Sequence, residues 1–394
     1  MDGKNQKLKV GITSPTTWPY VRRGAERFIN ELAAHLVQQG HSVKIISGKP
    51  GATEVIETRG YVTVCHRRWW HPSFARFGLL EFHMFFFPAF AALLRERFDI
   101  VVCLTFMDAF AARLARRITS TPYVFVVNGI PPKQQYFRSL TLKGAVFGSA
   151  IRGSNAVIAI SDFVKNYLEG RWGRSCKKIA VPLDTDEFRP NWKTNNGPPI
   201  VTCAAALDDR RKGGRLLMKA FNILKSRRPD LVLRIASQVS DTTKSDLLDL
   251  VSPQWRNDVH FVAAEENLSE LFATSSISVL PSLWEPYGMV VLESMAAGTP
   301  VVGTRDGALP ELIRDANVGR LFDPGASSDA EATNVDGLVA AMDDCLVLSS
   351  DPKTAERCRR YALGYSWKHL GPQYEQLLLQ LSGRAPELQM AVGN

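Results

Sequence analysis

The sequence predicts an α/β protein of two domains, each built on a parallel sheet covered by helices. Short apolar runs alternate with amphipathic segments twice along the chain, and a stretch rich in Pro, Asn and Asp at 181–198 separates the two series. A chain of 394 residues is long for one hydrophobic core and sufficient for two. We therefore expect domains at 1–187 and 188–370, followed by a C-terminal helix and tail at 371–394.

The first half begins with a predicted strand at 8–13 and a helix at 24–39, in which apolar residues recur at helical spacing. Further strands are predicted in apolar runs, at 42–47, 100–104, 123–127 and 156–160. Helices are expected between these strands. Such alternation implies parallel strands joined by helical crossovers.

The second half repeats this organisation. Its predicted strands are 199–205, 231–236, 259–262, 277–280 and 300–303. Its predicted helices are 213–225, 244–251, 268–273 and 286–298, with a final amphipathic helix at 373–381. The apolar segment 82–94 has only 13 residues, which is too short to span a membrane, because a spanning helix needs about 20.

Charge is unevenly distributed along the chain, whose net charge is +9. Residues 1–190 contain 27 Lys and Arg against 14 Asp and Glu. This imbalance favours an anionic partner, either a nucleotide diphosphate or an anionic membrane surface, although a solvated basic face would look the same. Interfacial residues at 67–70 (RRWW) fit membrane contact or a buried tryptophan pair equally well. Nucleic acid is not expected, since no recognised binding motif accompanies the charge.

Cysteine usage indicates a reducing compartment. The six cysteines are scattered without a C-x-x-C pair, and several lie in apolar stretches. No signal peptide is visible, because residues 8–13 are predicted to form a first strand and lack a long apolar run. We therefore expect a cytoplasmic protein, with peripheral attachment at the inner membrane face as an option.

The segment 281–298 contains two glutamates around an almost uncharged stretch. A helix beginning at Pro286 would place Glu285 at its positive end, where the N–H groups of Gly288, Met289 and Val290 can bind phosphate or sugar oxygens. Glu293 lies among apolar residues, and a buried carboxylate needs a partner. Either glutamate alone could be a paired structural carboxylate. Together they favour a ligand site.

A basic loop and two smaller features complete the candidate site. The loop 206–213 (ALDDRRKG) follows a strand and precedes a helix, so its cations suit a diphosphate, although basic loops are often only solvated. In the first half, Gly24 at a helix start leaves room for an approaching phosphate or sugar. Asn128 follows the strand at 123–127 and can hydrogen-bond a ligand.

The pattern E-P-Y-G-M-V-V-L-E at 285–293, followed by S-M-A-A-G-T-P-V-V, closely resembles the E-x7-E signature of the family 4 retaining glycosyltransferases. This resemblance implies the GT-B architecture, in which two Rossmann-like domains face each other across a cleft and the C-terminal helix crosses back to the first domain. It implies that Glu285 lies beside the transferred sugar and that Glu293 binds the nucleotide ribose. Lys212 would hold the diphosphate, with no metal or other cofactor.

Three positions depart from the family pattern. The family arginine of the diphosphate loop falls on Ala206, and of the two candidates to replace its charge, Arg210 and Arg211, we prefer Arg211. Arg23 replaces the first glycine of the pair that precedes the acceptor-side helix. Asn128 occupies the position of a histidine that many members carry, so a histidine base is not expected there. The D-x-D at 184–186 matches an interdomain stretch of the family rather than a metal site.

The resemblance therefore implies a retaining, metal-independent enzyme that moves a sugar from a nucleotide-diphosphate sugar to a hydroxyl acceptor. The acceptor would be a glycan, a glycolipid or a small molecule, and the basic first half favours a lipid-linked glycan precursor at the inner membrane face. Two alternatives remain. A nucleotide-sugar epimerase would use the same fold without an acceptor, and a non-catalytic nucleotide-sugar-binding adaptor would have lost the reaction.

Overall fold

The computed structural model describes residues 7–21, 24–49, 51–67, 84–130, 142–191, 197–262, 267–325 and 333–384. The chain divides into two compact units, of which one is Met1–Ala180 with Leu370–Asn394 and the other is Val181–His369. No helix in these described ranges is long and apolar enough to cross a membrane. Of the predicted interfacial segment at 67–70, only Arg67 lies within the described residues.

The first unit contains one sheet, with eight strands in the described residues. They are β1 (Lys9–Thr13), β2 (Ser42–Lys49), β3 (Glu54–Thr58), β4 (Tyr61–Arg67), β5 (Ile100–Cys103), β6 (Tyr123–Val127), β7 (Ala156–Ala159) and β8 (Lys177–Lys178). The strand order is β3-β4-β2-β1-β5-β6-β7-β8. Every residue of β5 and β6 is buried, as the prediction of a sheet covered on both faces requires.

One edge of this sheet differs from the all-parallel prediction. Strands β3 and β4 pair antiparallel, with Thr58 opposite Tyr61, and were not predicted. The residues between them, Arg59 and Gly60, both have positive φ angles, of 50° and 80°. This geometry suits a two-residue hairpin turn, which Asn-Gly usually signals. This chain has arginine at the position where asparagine usually signals such a turn. The turn could therefore not be predicted from the sequence.

Helices connect the strands of the first unit, namely α1 (Gly24–Gln38), α2 (Phe86–Arg95), α3 (Phe106–Thr119), α4 (Leu142–Gly153) and α5 (Asp162–Trp172). Helix α1 buries Phe28, Ile29 and Leu32 against the sheet, at the helical spacing that predicted it. Helix α5 begins at Asp162, where the Ser161 side chain accepts a hydrogen bond from the Val164 N–H as its N-cap.

The second unit contains a sheet of six parallel strands in the described residues. They are β9 (Ile200–Cys203), β10 (Val232–Ala236), β11 (Val259–Val262), β12 (Ile277–Leu280), β13 (Val301–Thr304) and β14 (Gly319–Phe322), in the order β11-β10-β9-β12-β13-β14. Its helices are α6 (Gly214–Arg227), α7 (Asp241–Leu248), α8 (Leu268–Ala273), α9 (Met289–Ala296), α10 (Leu309–Leu312), α11 (Val335–Ser349) and α12 (Thr354–Leu363). Leu217, Phe221 and Met342 lie fully buried in its core.

The helix of the glutamate segment begins later than predicted. It starts at Met289 rather than Pro286. Gly288 adopts a left-handed conformation with φ 92°, and a right-handed helix cannot include a residue in that conformation. Pro286 therefore lies in the loop before the helix. The end of the helix agrees with the prediction, since Gly298 follows it with φ 86°.

The C-terminal helix α13 (Trp367–Leu381) begins earlier than the predicted residue 373, and from Leu370 onward it belongs to the first unit. The Tyr374 hydroxyl donates to the carbonyl oxygen of Ile179 at 3.2 Å, and its ring lies 5.5 Å from the ring of Phe28. His41 accepts the Leu8 N–H at Nδ1, so its Nε2 carries the proton and donates to Glu375 at 3.0 Å. The helix therefore completes the core of the first unit.

Asp108 joins the carboxyl ends of β1 and β5. It is fully buried near the start of α3, where the Thr13 hydroxyl donates to its Oδ2 at 2.8 Å. The Leu104 N–H donates to the same oxygen at 3.1 Å, and the Thr105 N–H donates to Oδ1 at 2.8 Å. Burial nevertheless outweighs these hydrogen bonds and raises the pKa of Asp108 to about 6.

Replacement of this carboxyl should therefore have a pH-dependent effect on stability. The pKa of Asp108 is raised in the folded state. Its stabilising contribution to the free energy of unfolding is therefore present at low pH and is lost as the pH rises from about 4 through about 6. Asp108→Asn has no such titration. The free energy of unfolding of the wild type, relative to that of Asp108→Asn, should fall by about 2 kcal/mol between pH 4.5 and pH 7, as measured by urea titration. A difference independent of pH would contradict this assignment.

Candidate functional site

The second sheet has a topological switch point at β9. Strand β10 lies on one side of β9 and β12 on the other, so the loops that follow β9 and β12 leave the sheet in different directions. In open α/β sheets such a point forms a crevice outside the carboxyl ends of the strands, where ligands bind. The basic loop follows β9 and the loop containing Glu285 follows β12.

These two loops bring Lys212 and Glu285 together. The Lys212 Nζ donates to Glu285 Oε2 at 2.6 Å, and the two side chains are 22% and 12% exposed. The pair is therefore partly shielded from water yet open to a ligand. Two charged groups separated by 73 positions in the sequence thus form one contact, at the edge of the sheet where a ligand is expected.

The backbones of the two loops are also in contact. The Leu283 N–H donates to the Arg211 carbonyl oxygen at 2.8 Å. Gly213 has a φ of 71°, and a Cβ atom at this position would overlap the carbonyl oxygen of Pro281. Only glycine satisfies both conditions without strain. The close approach that puts Lys212 beside Glu285 therefore depends on Gly213, whose role the sequence analysis did not identify.

A third loop, which follows β13, holds the backbone around Glu285. The Ala308 N–H donates to the Glu285 carbonyl oxygen at 2.9 Å, and Asp306 Oδ2 accepts the Trp284 N–H at 2.5 Å. Gly307 has a φ of 60°, and a Cβ atom there would lie 2.6 Å from the Glu285 carbonyl oxygen. Trp284 itself has a φ of 51°. Asp306 was missed from the sequence, since a single aspartate in a loop carries no distinctive signal.

Helix α9 starts directly after this loop. Its N-cap, Gly288, has no side chain with which to cap the helix. The N–H groups of the first turn, including those of Met289 and Val290, have no carbonyl partner within the helix and mark its positive end. An anionic group can therefore bind there. Glu293 lies on the same helix and is 4% exposed.

The arginines of the basic loop have partners outside the Lys212–Glu285 contact. Arg211 pairs with Asp209 through Nη2 and Oδ2 at 2.5 Å, and its Nε donates to Asp209 Oδ1 at 3.2 Å. This pairing holds the short 3-10 turn at Arg210–Lys212 and neutralises Arg211 locally. Arg210 lines a neighbouring pocket together with Asp208 and Arg215. Asp209 engages the Nε and Nη2 atoms of Arg211, so contact with a diphosphate would use the remaining N–H groups of Arg211 or require it to leave Asp209.

The candidate residues of the first unit lie after β1 and β6. Gly24 is the first residue of α1 and is exposed. Asn128 follows β6, and its Oδ1 is buried without a hydrogen-bond partner among the described residues. Arg23 lies outside the described residues.

The D-x-D sequence of the second unit forms a turn. Asp184 Oδ1 accepts the N–H groups of Asp186 and Glu187, at 2.9 and 3.2 Å. Asp186 pairs with Arg189 at 2.8 Å. Within the described ranges, no group of three or more His, Cys, Asp or Glu side chains is arranged to hold a metal ion.

Comparison with protein families matches nearly the whole chain. The model of Glycosyltransferase Family 4 matches residues 22–182, and that of Glycosyl transferases group 1 matches residues 184–362. A D-inositol 3-phosphate glycosyltransferase from Arthrobacter sp. (strain FB24) is 33% identical over 198 residues, which are 48% of this chain and 45% of that protein. The chain thus aligns with less than half the length of this curated relative.

Two solved structures resemble the chain over nearly its full length. Sucrose-phosphate synthase from Thermosynechococcus elongatus has a TM-score of 0.79 at 20% identity and covers 96% of this chain and 100% of its own. HepE from Anabaena, in complex with UDP and glucose, has a TM-score of 0.73 at 18% identity and covers 95% of this chain and 100% of its own. At these identities the similarity shows a shared fold.

The contact at Gly213 leads to a prediction. Gly213→Ala should lower the free energy of unfolding by about 2 kcal/mol or more, because the added Cβ meets a backbone carbonyl in a conformation that alanine avoids. It should also displace Lys212 from Glu285 and weaken the binding of an anionic ligand at this edge of the sheet. Urea titration and isothermal titration calorimetry with UDP and GDP measure the two effects.

Gly170→Ala provides a matched control. Gly170 lies within α5, and a Cβ atom there meets nothing within 4 Å. This variant should gain about 0.5–1 kcal/mol of stability, because alanine favours a helix more than glycine does. Equal effects of the two substitutions would show that Gly213 has no special role.

Proposed function

Because the chain belongs to the family 4 glycosyltransferases and has their GT-B fold, we propose that it transfers a sugar from a nucleotide-diphosphate sugar to a hydroxyl acceptor, with retention at the anomeric carbon. The observation that carries this proposal is the Lys212–Glu285 contact at the switch point of the second sheet. A cation and a carboxylate placed side by side suit a donor that has both an anionic diphosphate and a hydroxylated sugar. HepE, whose structure contains UDP and glucose, supports this donor class.

Lys212 and the start of α9 would bind the diphosphate. The Lys212 ammonium is already held at the carboxyl edge of the sheet, and the N–H groups of Met289 and Val290 lie at the positive end of α9. As the bond to the sugar breaks, negative charge develops on the leaving nucleoside diphosphate. These groups stabilise that charge without rearranging, which lowers the barrier. The same electrostatic role is why we propose that no metal ion is needed.

Glu285 would act on the sugar. Its carboxylate is held in place by Lys212 and by the backbone contacts to the loop after β13. It can accept hydrogen bonds from the sugar hydroxyls, and its negative charge favours a transition state in which the anomeric carbon becomes positive. Glu293, buried further along α9, would accept hydrogen bonds from the ribose.

Retention of configuration would follow from reaction on one face of the sugar. The bond from the anomeric carbon to the leaving phosphate oxygen breaks, and the acceptor oxygen bonds to the same face. The acceptor proton passes to the leaving phosphate, which serves as the base. This assignment suits Asn128, because an amide cannot accept a proton as a histidine would.

The chemical class of the acceptor is proposed from the excess of basic residues in the first half of the chain. The first 190 residues contain 27 basic and 14 acidic side chains, which favours an acceptor or a surface with negative charge. The name of the Arthrobacter relative indicates a phosphorylated acceptor for that protein. For this chain we favour a lipid-linked glycan precursor at the cytoplasmic face of a membrane, reached by peripheral attachment.

The first experiment follows nucleotide release from a panel of nucleotide sugars in the presence of EDTA. The wild type should release nucleotide from one donor without added metal. Glu285→Gln should slow turnover by about a hundredfold or more with little change in donor affinity, because the loss falls on the transition state. Lys212→Met should weaken donor binding as well, since it removes the counter-ion of the diphosphate.

Glu356→Gln is the control for these substitutions. It removes a carboxylate that pairs with Arg360 on the exposed surface of α12 and should leave turnover unchanged. Conversion of the donor sugar without any acceptor would indicate an epimerase. Saturable donor binding with no turnover under any acceptor would indicate an adaptor. Full turnover by Glu285→Gln would refute the catalytic assignment.

A further inference from the structure

The first sheet also has a topological switch point, and the loop that follows β1 lies at it. Strand β2 lies on one side of β1 and β5 on the other, so the crevice expected from this topology opens beside Ser14–Val21. The proposed reaction assigns the donor to the second unit. The switch point of the first unit is therefore the natural position for the acceptor.

The base of this loop is rigidly held by buried polar contacts. The Ser14 hydroxyl donates to the Thr16 carbonyl oxygen at 2.8 Å, and the Thr16 hydroxyl donates to Glu26 Oε1 at 2.6 Å. Asn30 donates to the Thr17 hydroxyl at 3.2 Å. Ser14, Thr16, Thr17 and Glu26 are all buried. Loops held in this way present a preformed surface and lose little entropy on binding.

The tip of the loop presents two aromatic side chains to solvent. Trp18 is 39% exposed and Tyr20 is 42% exposed. Among the tryptophans and tyrosines that the structure describes, these are the two in the exposed class, whereas Tyr61, Tyr123 and Tyr287 are buried. Exposed large aromatics on a rigid loop are typical of recognition surfaces.

Polar groups surround the ring of Tyr20. Its hydroxyl donates to Glu54 Oε2 at 2.6 Å, and the Lys49 Nζ lies 5.2 Å from the ring centroid. Lys49 also pairs with Glu54. These residues end β2 and begin β3, so the unpredicted antiparallel edge of the sheet positions the ring. The loop tip thus combines flat apolar faces with a hydrogen-bond donor and an acceptor.

We propose that Trp18 and Tyr20 form a platform on which a hydroxylated six-membered ring of the acceptor packs. Such a ring has a face of C–H groups that suits the aromatic rings and a rim of hydroxyls that suits Glu54 and Lys49. A sugar pyranose and a cyclitol share this chemistry. The inference rests on the proposed function, because it takes this ring to be part of the acceptor.

Ligand-observed NMR on the full-length protein, without any nucleotide sugar, tests the platform directly. The probes are the methyl α-pyranosides of glucose, mannose and galactose, together with myo-inositol and the open-chain polyol sorbitol. The wild type should bind at least one ring compound saturably and sorbitol at least tenfold more weakly. Binding of the pyranosides but not of myo-inositol would assign the ring as a sugar, and the reverse would assign a cyclitol.

Variants of the loop tip should distinguish a specific contribution of its two aromatic rings to binding from the effect of removing any exposed aromatic side chain. Trp18→Ala and Tyr20→Ala should each weaken binding about tenfold, whereas Tyr20→Phe, which keeps the ring, should retain most of it. Phe87→Ala is the matched control, because Phe87 is 61% exposed on α2 and lies outside the loop. It should bind as the wild type does.

Three results would overturn the platform: no ring compound binds the wild type, sorbitol binds as well as the rings do, or the alanine variants bind normally. Each is independent of catalysis. Failure of nucleotide release in the earlier assay would instead refute the proposed function and leave the binding result standing. If the platform and the proposed function are both correct, Trp18→Ala should raise the acceptor KM about tenfold without changing the affinity for the donor.

Discussion

The candidate site depends on one ion pair, that between Lys212 and Glu285. The pair forms because two loops that leave neighbouring parallel strands come into backbone contact, which the absence of a side chain at Gly213 permits. A charged pair that is partly removed from water is stable only when each charge has its partner. The charges of Lys212 and Glu285 therefore neutralise each other. An incoming diphosphate would find a cation already in place, with a carboxylate behind it to receive sugar hydroxyls.

Backbone conformation maintains this arrangement. Gly288 allows the turn from which α9 begins, and Gly307 allows the loop after β13 to approach the backbone of Glu285. Main-chain contacts among three loops therefore hold the backbone around the Lys212–Glu285 pair. Preorganisation of this kind is what electrostatic stabilisation of a transition state requires, because groups that must reorient lose most of their benefit.

The two units use the same topological position for different chemistry. In the second unit the loops at the switch point carry charge, as Lys212 and Glu285 show. In the first unit the corresponding loop carries exposed rings, Trp18 and Tyr20, over a buried polar base. Charge suits a diphosphate, and rings suit the apolar face of a sugar or cyclitol. This contrast is what the division of donor and acceptor between the units would require.

The sequence by itself determined the fold class and the main elements. Apolar runs located β6 and β12 to the residue, because every position of a strand covered on both faces is buried. The spacing of Glu285 and Glu293 indicated the family, which the comparisons confirm. Tertiary structure alone decided the rest. The contact of Lys212 with Glu285 joins residues far apart in the chain, and the close approach at Gly213 and the exposure of Trp18 depend on packing. Local patterns contain no information about such contacts, since they arise only when distant segments fold together.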